Sequence, residues 1–239
     1  MTVRIGSARI SEKGTINGKL GDQKNGMEVS TQSWYNHKKG WYILRAKDRK
    51  KAELIARNME AFCNNDHFGY GQSDRSTAYT ACKAVGWDAS KVKKDCNTDC
   101  SMTVRICCLY AGIQAGPFST LSEVDVLKKT GAFDLITDDK ICSNADYWKR
   151  GDIGVTRTKG HTVVALTSGS KTATKKMTVK TTGSSLRLRK SPVDGETIVF
   201  MKNGSDVIPT GNTQEIKGSI WYEVTYKKYT GWASGNCLK

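Results

Sequence analysis

The chain has 239 residues, 38% hydrophobic and 26% charged, an ordinary globular mix that excludes whole-chain disorder and fibrous repeats. No apolar run approaches the ~20 residues that span a bilayer, and the start, MTVRIGSARISEKG, lacks the apolar core of a secretory signal. Thirty-eight Lys+Arg against 23 Asp+Glu give +15, a field that favours an anionic partner: nucleic acid, an acidic membrane surface or an anionic wall polymer.

Residues 1–46 mix Gly, polar side chains and aromatics. Gly14, Gly18, Gly21 and Gly26 punctuate turns, and Trp34, Tyr35 and Trp41–Leu44 are strand-like. A helix follows over about 48–64, where Ala52, Ile55, Ala56, Met59, Phe62 and Cys63 repeat at the 3, 4 spacing of one buried face. A second helix fits about 74–85, with Ser73 as N-cap and Gly86 as stop. A third fits about 100–111, ending at Gly112. A fourth fits about 121–130, where Thr120-x-x-Glu123 reads as a capping box and Gly131 follows. Ile153–Val155 and Thr162–Leu166 read as two short strands.

Residues 167–176, TSGSKTATKK, hold no large apolar side chain and read as a linker. Beyond them come six short strand candidates at 177–181, 186–189, 197–201, 206–210, 221–226 and 230–233, separated by Gly, Asn and Pro, which suggest a small closed barrel. Charge is shared by both parts: residues 176–239 carry ten Lys+Arg against five Asp+Glu, or +5, leaving +10 for the rest.

Eight cysteines raise two alternatives. Adjacent Cys107 and Cys108 lie in an apolar run, which favours reduced, buried thiols. Zinc is the other reading, but Cys96-x-x-x-Cys100 has neither a second pair nor a nearby His, so no metal and no cofactor are expected.

A cysteine nucleophile requires a depressed thiol pKa, which a helix N-terminus and an imidazole both provide. Cys100 stands where the polar segment 93–99 gives way to the third helix. Of the three histidines, His37 lies in a turn-like stretch, His67 in a polar stretch, and His161 opens the strand Thr162–Leu166, where a rigid mount suits a general base.

Asp99-Cys100-Ser101 at a helix start resembles the nucleophile motif of the NlpC-type cysteine peptidases of cell-wall turnover. Arg150-Gly-Asp-Ile153 followed by Gly160-His161-Thr-Val-Val resembles their Gly-Asp-hydrophobic and Gly-His-hydrophobic hairpin. The order, Cys before His, is shared with the cysteine, histidine-dependent amidohydrolase/peptidase (CHAP) group. The segment Ala8–Gln23 is similar to a subset of these enzymes found in phage endolysins and prophages of Gram-positive bacteria. The tail, with Ser184–Pro192, Trp221–Tyr226 and Gly231-Trp-Ala233, resembles bacterial SH3-like wall-binding domains.

The resemblance implies an α+β, papain-like NlpC-type catalytic domain over 1–167, a linker over 168–176 and an all-β SH3-like barrel over 177–239. It implies hydrolysis of an amide bond in the peptide stem or cross-bridge of Gram-positive peptidoglycan, with Cys100 as nucleophile paired with His161 as an ion pair. An N-acetylmuramoyl-L-alanine amidase with the same dyad is the alternative. The partners implied are peptidoglycan and anionic wall polymers, with no membrane insertion. A lysin made in the host cytoplasm and released by a holin, or carried in a particle, fits the start of the chain.

The residue that orients the histidine in this family normally follows it in sequence, and here none does. Asp22 and Gln23 are candidates, against a solvated turn or a backbone carbonyl. Asp99 and Ser101 are candidates for reading the substrate's amine, against a helix-capping role for Asp99. In the tail, Trp221, Tyr226 and Trp232 are assigned to the barrel core, and Tyr222 and Tyr229 to an exposed wall-binding face. Lys227-Lys228 reads as a hairpin turn. A nucleic-acid-binding protein is the first rival class; the longest basic block, Arg49–Lys51, and the absence of aromatics interleaved with Arg count against it. A wall-binding or phage structural protein with a decayed peptidase fold is the second, opposed by the joint presence of Asp99-Cys100-Ser101 and Gly160-His161.

Overall fold

The computed structural model describes residues 2–171 and 176–239. It divides into two compact units, Met1–Thr172 and Ala173–Lys239.

The first unit is α+β. Its main sheet is built from β1 (Arg4–Ala8), β2 (Val29–Ser33), β3 (Trp41–Ala46), β6 (Phe133–Ile136), β7 (Ile153–Thr156) and β8 (Thr162–Ala165), in the order β2-β1-β8-β7-β3-β6, with every neighbouring pair antiparallel. A two-stranded parallel ribbon joins β4 (Phe68–Tyr70) to β5 (Cys96–Thr98). The helices are α1 (Arg49–Cys63), α2 (Ser76–Ala84), α3 (Cys100–Tyr110), α4 (Glu123–Lys129) and the single turn α5 (Asp139–Cys142).

Strand alternation buries both faces of this sheet. Leu44, Val155 and Val164 turn toward the helices and meet Ile55, Met59 and Phe62 of α1 and Val104 and Ile106 of α3. Trp41, Ile43, Val163 and Ala165 turn the other way and pack with Trp148 and Cys142. The Trp41 and Trp148 rings meet edge-on with centroids 5.8 Å apart. Because α1 and α3 lie against the face that carries Val164, the start of α3 comes to lie beside the start of β8.

Caps fix the helix starts. Asp48 accepts from the Lys50 amide to open α1, and Asp99 accepts from the Met102 amide to open α3. Ser73 does not cap α2: its hydroxyl donates to Asn17 Oδ1, and the helix starts at Ser76, where the Thr77 amide is taken by the Asp74 carbonyl. The expected capping box at α4 is also absent. The helix begins at Glu123, whose carboxyl turns inward to Thr162 instead of back to Thr120, because the interior offers it a hydroxyl partner. Gly112 and Gly131 follow their helices with φ of 70°.

The stretch expected to be linker is anchored at its start. The Arg150 amide donates to Ser168 Oγ, the Gly169 amide to the Trp148 carbonyl and the Lys171 amide to the Asp146 carbonyl. Residues 172–175 lie outside the described residues.

The second unit is all-β: β9 (Met177–Thr178), β10 (Leu186–Arg189), β11 (Thr197–Met201), β12 (Asp206–Ile216), β13 (Ser219–Tyr226) and β14 (Tyr229–Ser234). They pair antiparallel in the order β11-β10-β14-β13-β12-β9, around Val179, Leu188, Met201, Val207, Val224 and Ala233. Tyr226 pairs with Tyr229, so Lys227-Lys228 is a two-residue hairpin turn, with Lys227 at φ 54°.

The aromatic assignment of the tail is reversed in part. Tyr222, Val224 and Tyr226 share the inward phase of β13, and Tyr222 and Tyr229 are half-buried against the core, not presented on an exposed face. Trp221 shares the outward phase with Glu223 and Thr225.

Candidate functional site

Cys100 is the first residue of α3, and Asp99, its cap, holds an extended φ of −120°. The thiol is 8% exposed. The backbone N–H groups of Ser101 and Thr162 act on its thiol, which places it near the strand residue that follows His161. Burial pushes the Cys100 thiol up to about 12, the Asp99 and Glu123 carboxyls add to the rise, and the two N–H groups oppose it.

His161 precedes β8 and is held through its backbone. Its carbonyl accepts from the Thr156 amide at 2.9 Å, and its own amide donates to Thr156 Oγ1 at 3.1 Å; Gly160 donates to the same hydroxyl at 3.0 Å. The left-handed residue of this turn is Lys159, φ 57°, while Gly160 faces open space. The imidazole Nε2 lies 3.5 Å from Ser7 Oγ on β1. Burial lowers the imidazole to about 4, and the cationic forms of His37 and Arg9 add to that. Burial thus works against charging either the thiol or the imidazole, whereas the resemblance implies an ion pair.

A cleft of about 470 Å³ opens onto the imidazole, lined by Arg9, Ile10, Gln32, Tyr35, His37 and His161; Cys100 is not part of its wall. His37 Nδ1 accepts from the Lys39 amide at 3.0 Å, which leaves Nε2 as the N–H of its neutral ring. Sequence reasoning missed Ser7, Thr156 and Gln32 because strand pairing brings them to the cleft, Ser7 across 154 residues of chain, and it missed the place of His37, which the segment between β2 and β3 carries there.

Asp99 and Ser101 form a closed network with Arg75. Asp99 Oδ1 accepts from the Met102 amide at 2.7 Å and from Ser101 Oγ at 2.9 Å, and Arg75 Nη1 donates to Asp99 Oδ2 at 2.7 Å and to Ser101 Oγ at 3.0 Å. These contacts make Asp99 a helix cap and an ion-pair partner. Asp22 and Gln23 have turn contacts: Asp22 accepts from the Lys24 amide, and Gln23 donates to the carbonyls of Leu20 and Gly21. The structure brings neither to the imidazole.

Glu123 is fully buried. Its Oε1 accepts from Thr162 Oγ1 at 2.7 Å, and its Oε2 has no partner among the described residues. Burial drives this carboxyl well above the usual carboxylate range, so it is held as the neutral acid. It ties α4 to the residue after His161, and its partner hydroxyl belongs to the residue whose amide reaches Cys100.

The motif Arg150-Gly-Asp-Ile153 is structural at each of its first three positions. Arg150 reaches Glu53 and Glu60 of α1 and the Leu166 carbonyl. Gly151 has φ 86°, and a Cβ there would stand 2.2 Å from the Ala52 carbonyl oxygen. Asp152, 1% exposed, takes a two-pronged contact from Arg45 at 2.8 and 2.6 Å and the Lys149 amide at 2.7 Å, joining β3 to the hairpin that bears His161. Asp152→Ala is expected to destabilise the first unit by about 3 kcal/mol, the lower end for a broken buried pair because Arg45 keeps 22% of its side chain exposed. Urea unfolding of the full chain checks it, and a loss under about 1 kcal/mol would remove this role.

All eight cysteines are free, and only Cys237 is not buried. Among the described residues no group of three or more His, Cys, Asp or Glu side chains is placed to hold a metal, and no helix is long and apolar enough to cross a membrane.

A helix-opening cysteine and a strand-opening histidine both belong to an α+β unit, and an all-β unit follows it in the chain. The family model described as "Endolysin-like domain" matches residues 5–172, and the chain belongs to that family. No curated protein matches the chain.

Proposed function

We propose that this protein is a peptidoglycan hydrolase of the endolysin type that cleaves an amide bond in the peptide stem or cross-bridge of a Gram-positive wall. The observation that supports the reading is the place of Cys100 at the start of α3, with its thiol acted on by the backbone N–H of Thr162, the residue after His161, in a unit that belongs to the endolysin-like family. NlpC-type chemistry is the form of catalysis this pairing supports best.

In that mechanism the buried thiol transfers its proton to His161 as its sulfur attacks the substrate carbonyl, and no ion pair has to exist beforehand. The Cys100 N–H at the start of α3 is the stabilising donor for the oxyanion, since the Met102 and Thr103 amides are taken by Asp99. The imidazolium then protonates the leaving amine, and the neutral imidazole activates water to release the acyl group from Cys100. The second unit is the wall-binding module, which raises the local concentration of the catalytic unit at an insoluble substrate.

Mass spectrometry of fragments released from purified Gram-positive peptidoglycan tests this reading. New amine and carboxyl ends within the stem or cross-bridge are the expected result. Release of whole stems from muramic acid would make it an amidase, and release of reducing sugars alone, or of nothing, would overturn the thiol-hydrolase reading.

A further inference from the structure

A second cleft, about 530 Å³, lies on the outer face of the second unit and is lined by Arg187, Arg189, Phe200, Trp221 and Ser234, among others. Its floor is a row across four strands. Arg187 pairs with Phe200, and Trp221 pairs with Ser234. Since Arg189 pairs with Trp232, the register of β10 on β14 sets Arg187 opposite Ser234. Directly opposed residues point to the same face, so the row reads Phe200, Arg187, Ser234, Trp221. At a strand spacing of about 4.8 Å its two aromatic rings stand roughly 14 Å apart with the guanidinium between them.

None of these side chains is explained by the core. Phe200 is 58% exposed, and Trp221 lies on the opposite phase from the buried side of β13. Among the described residues no carboxylate lies within ion-pair distance of Arg187 or Arg189; Arg189 donates only to the Gly195 carbonyl. The exposed Phe200 ring and the half-buried Trp221 ring offer platforms for the apolar faces of sugars or polyols, and a guanidinium offers the forked geometry that matches phosphate. Residues 176–239 carry +5, so the surrounding field favours a polymer that is negative along its length over a peptidoglycan stem that carries both signs.

We infer that this row is a binding site for a phosphodiester-linked polyol or sugar polymer, with Arg187 on a phosphate and Phe200 and Trp221 against the units on either side. Only the source of the polymer, a Gram-positive wall, rests on the hydrolase reading; binding itself does not require catalysis.

The test uses the full chain and a purified glycerol-phosphate polymer titrated by calorimetry at low and high salt. Binding that weakens with salt, and that falls at least tenfold in Arg187→Gln and again in Phe200→Ser, is expected. Both side chains are largely in solvent, and unchanged melting curves establish that the variants fold. A second arm measures retention of the full chain on walls before and after chemical removal of phosphate polymers, with cleavage of a soluble muropeptide as an independent readout of the hydrolase. Loss of retention on stripped walls with cleavage intact supports the site. Equal binding by wild type and both variants, or equal retention on stripped walls, would overturn it. Failure of muropeptide cleavage alone would count against the hydrolase and leave the site standing.

Discussion

Cys100→Ala is expected to abolish lysis of a susceptible wall suspension, lowering the rate at least about 10³-fold, with the melting curve and retention on the wall unchanged from the wild type. The sulfur is the only group at the start of α3 that can form an acyl intermediate; the Ser101 hydroxyl is engaged by Asp99 and Arg75. The fold tolerates the change because the substitution removes a single atom from a small site and Asp99 keeps its cap on Met102. Cys100→Ser keeps the size and is expected to be nearly as inactive, since a hydroxyl beside a neutral imidazole needs a far stronger base. Turbidity loss above a tenth of wild type in Cys100→Ala would remove the cysteine from the mechanism.

The second large effect concerns proton position. With the imidazole at about 4 and the thiol at about 12, kcat/KM is expected to rise through an acid limb near pH 4 and then stay level through pH 9. An alkaline fall centred near 8.5 would mean that an imidazolium loses its proton there, with the imidazole raised and the thiol lowered, and a thiolate–imidazolium pair would then be the resting state. His161→Ala is expected to lower activity about 10²–10⁴-fold at every pH and to erase the acid limb. The same shift has a sign for stability. Between pH 6.5 and 4 the unfolded chain binds a proton at His161 that the folded chain does not, so folding weakens as pH falls through that window.

Legibility in the sequence followed locality. The helix over Arg49–Cys63 was readable because six apolar residues repeat on one face, and Cys100–Tyr110 because a polar segment ends where an apolar one begins. Four of the six tail strands match their expected ranges closely, since their boundaries are marked by turn residues, while the first is only Met177–Thr178 and the fourth runs on to Ile216. The strands β1 and β2 were not readable: RIGSA and VSTQS are short and mostly small or polar, and their pairing with β8 and with each other spans long separations. Glu123 shows the limit of motif reading, because a Thr-x-x-Glu pattern matches a capping box while burial takes the carboxyl elsewhere. The error at Tyr222 had a visible remedy. Glu223 and Thr225 share the phase of Trp221, and two polar residues in one phase mark it as the outer face. At the site, Cys100 and His161 were the residues with local signatures, whereas Ser7, Arg75 and Thr156 reach it only through tertiary contacts.

The protonated state of Cys100 also bears on its chemical durability. The thiolate is the form that attacks peroxide and disulfides, so a thiol held at about 12 in a residue 8% exposed presents almost no reactive form at neutral pH. Six further cysteines are buried. In the proposed mechanism such a thiol would be spared oxidation to sulfenic acid, and its sulfur would become reactive only when a bound substrate and His161 together drew off its proton.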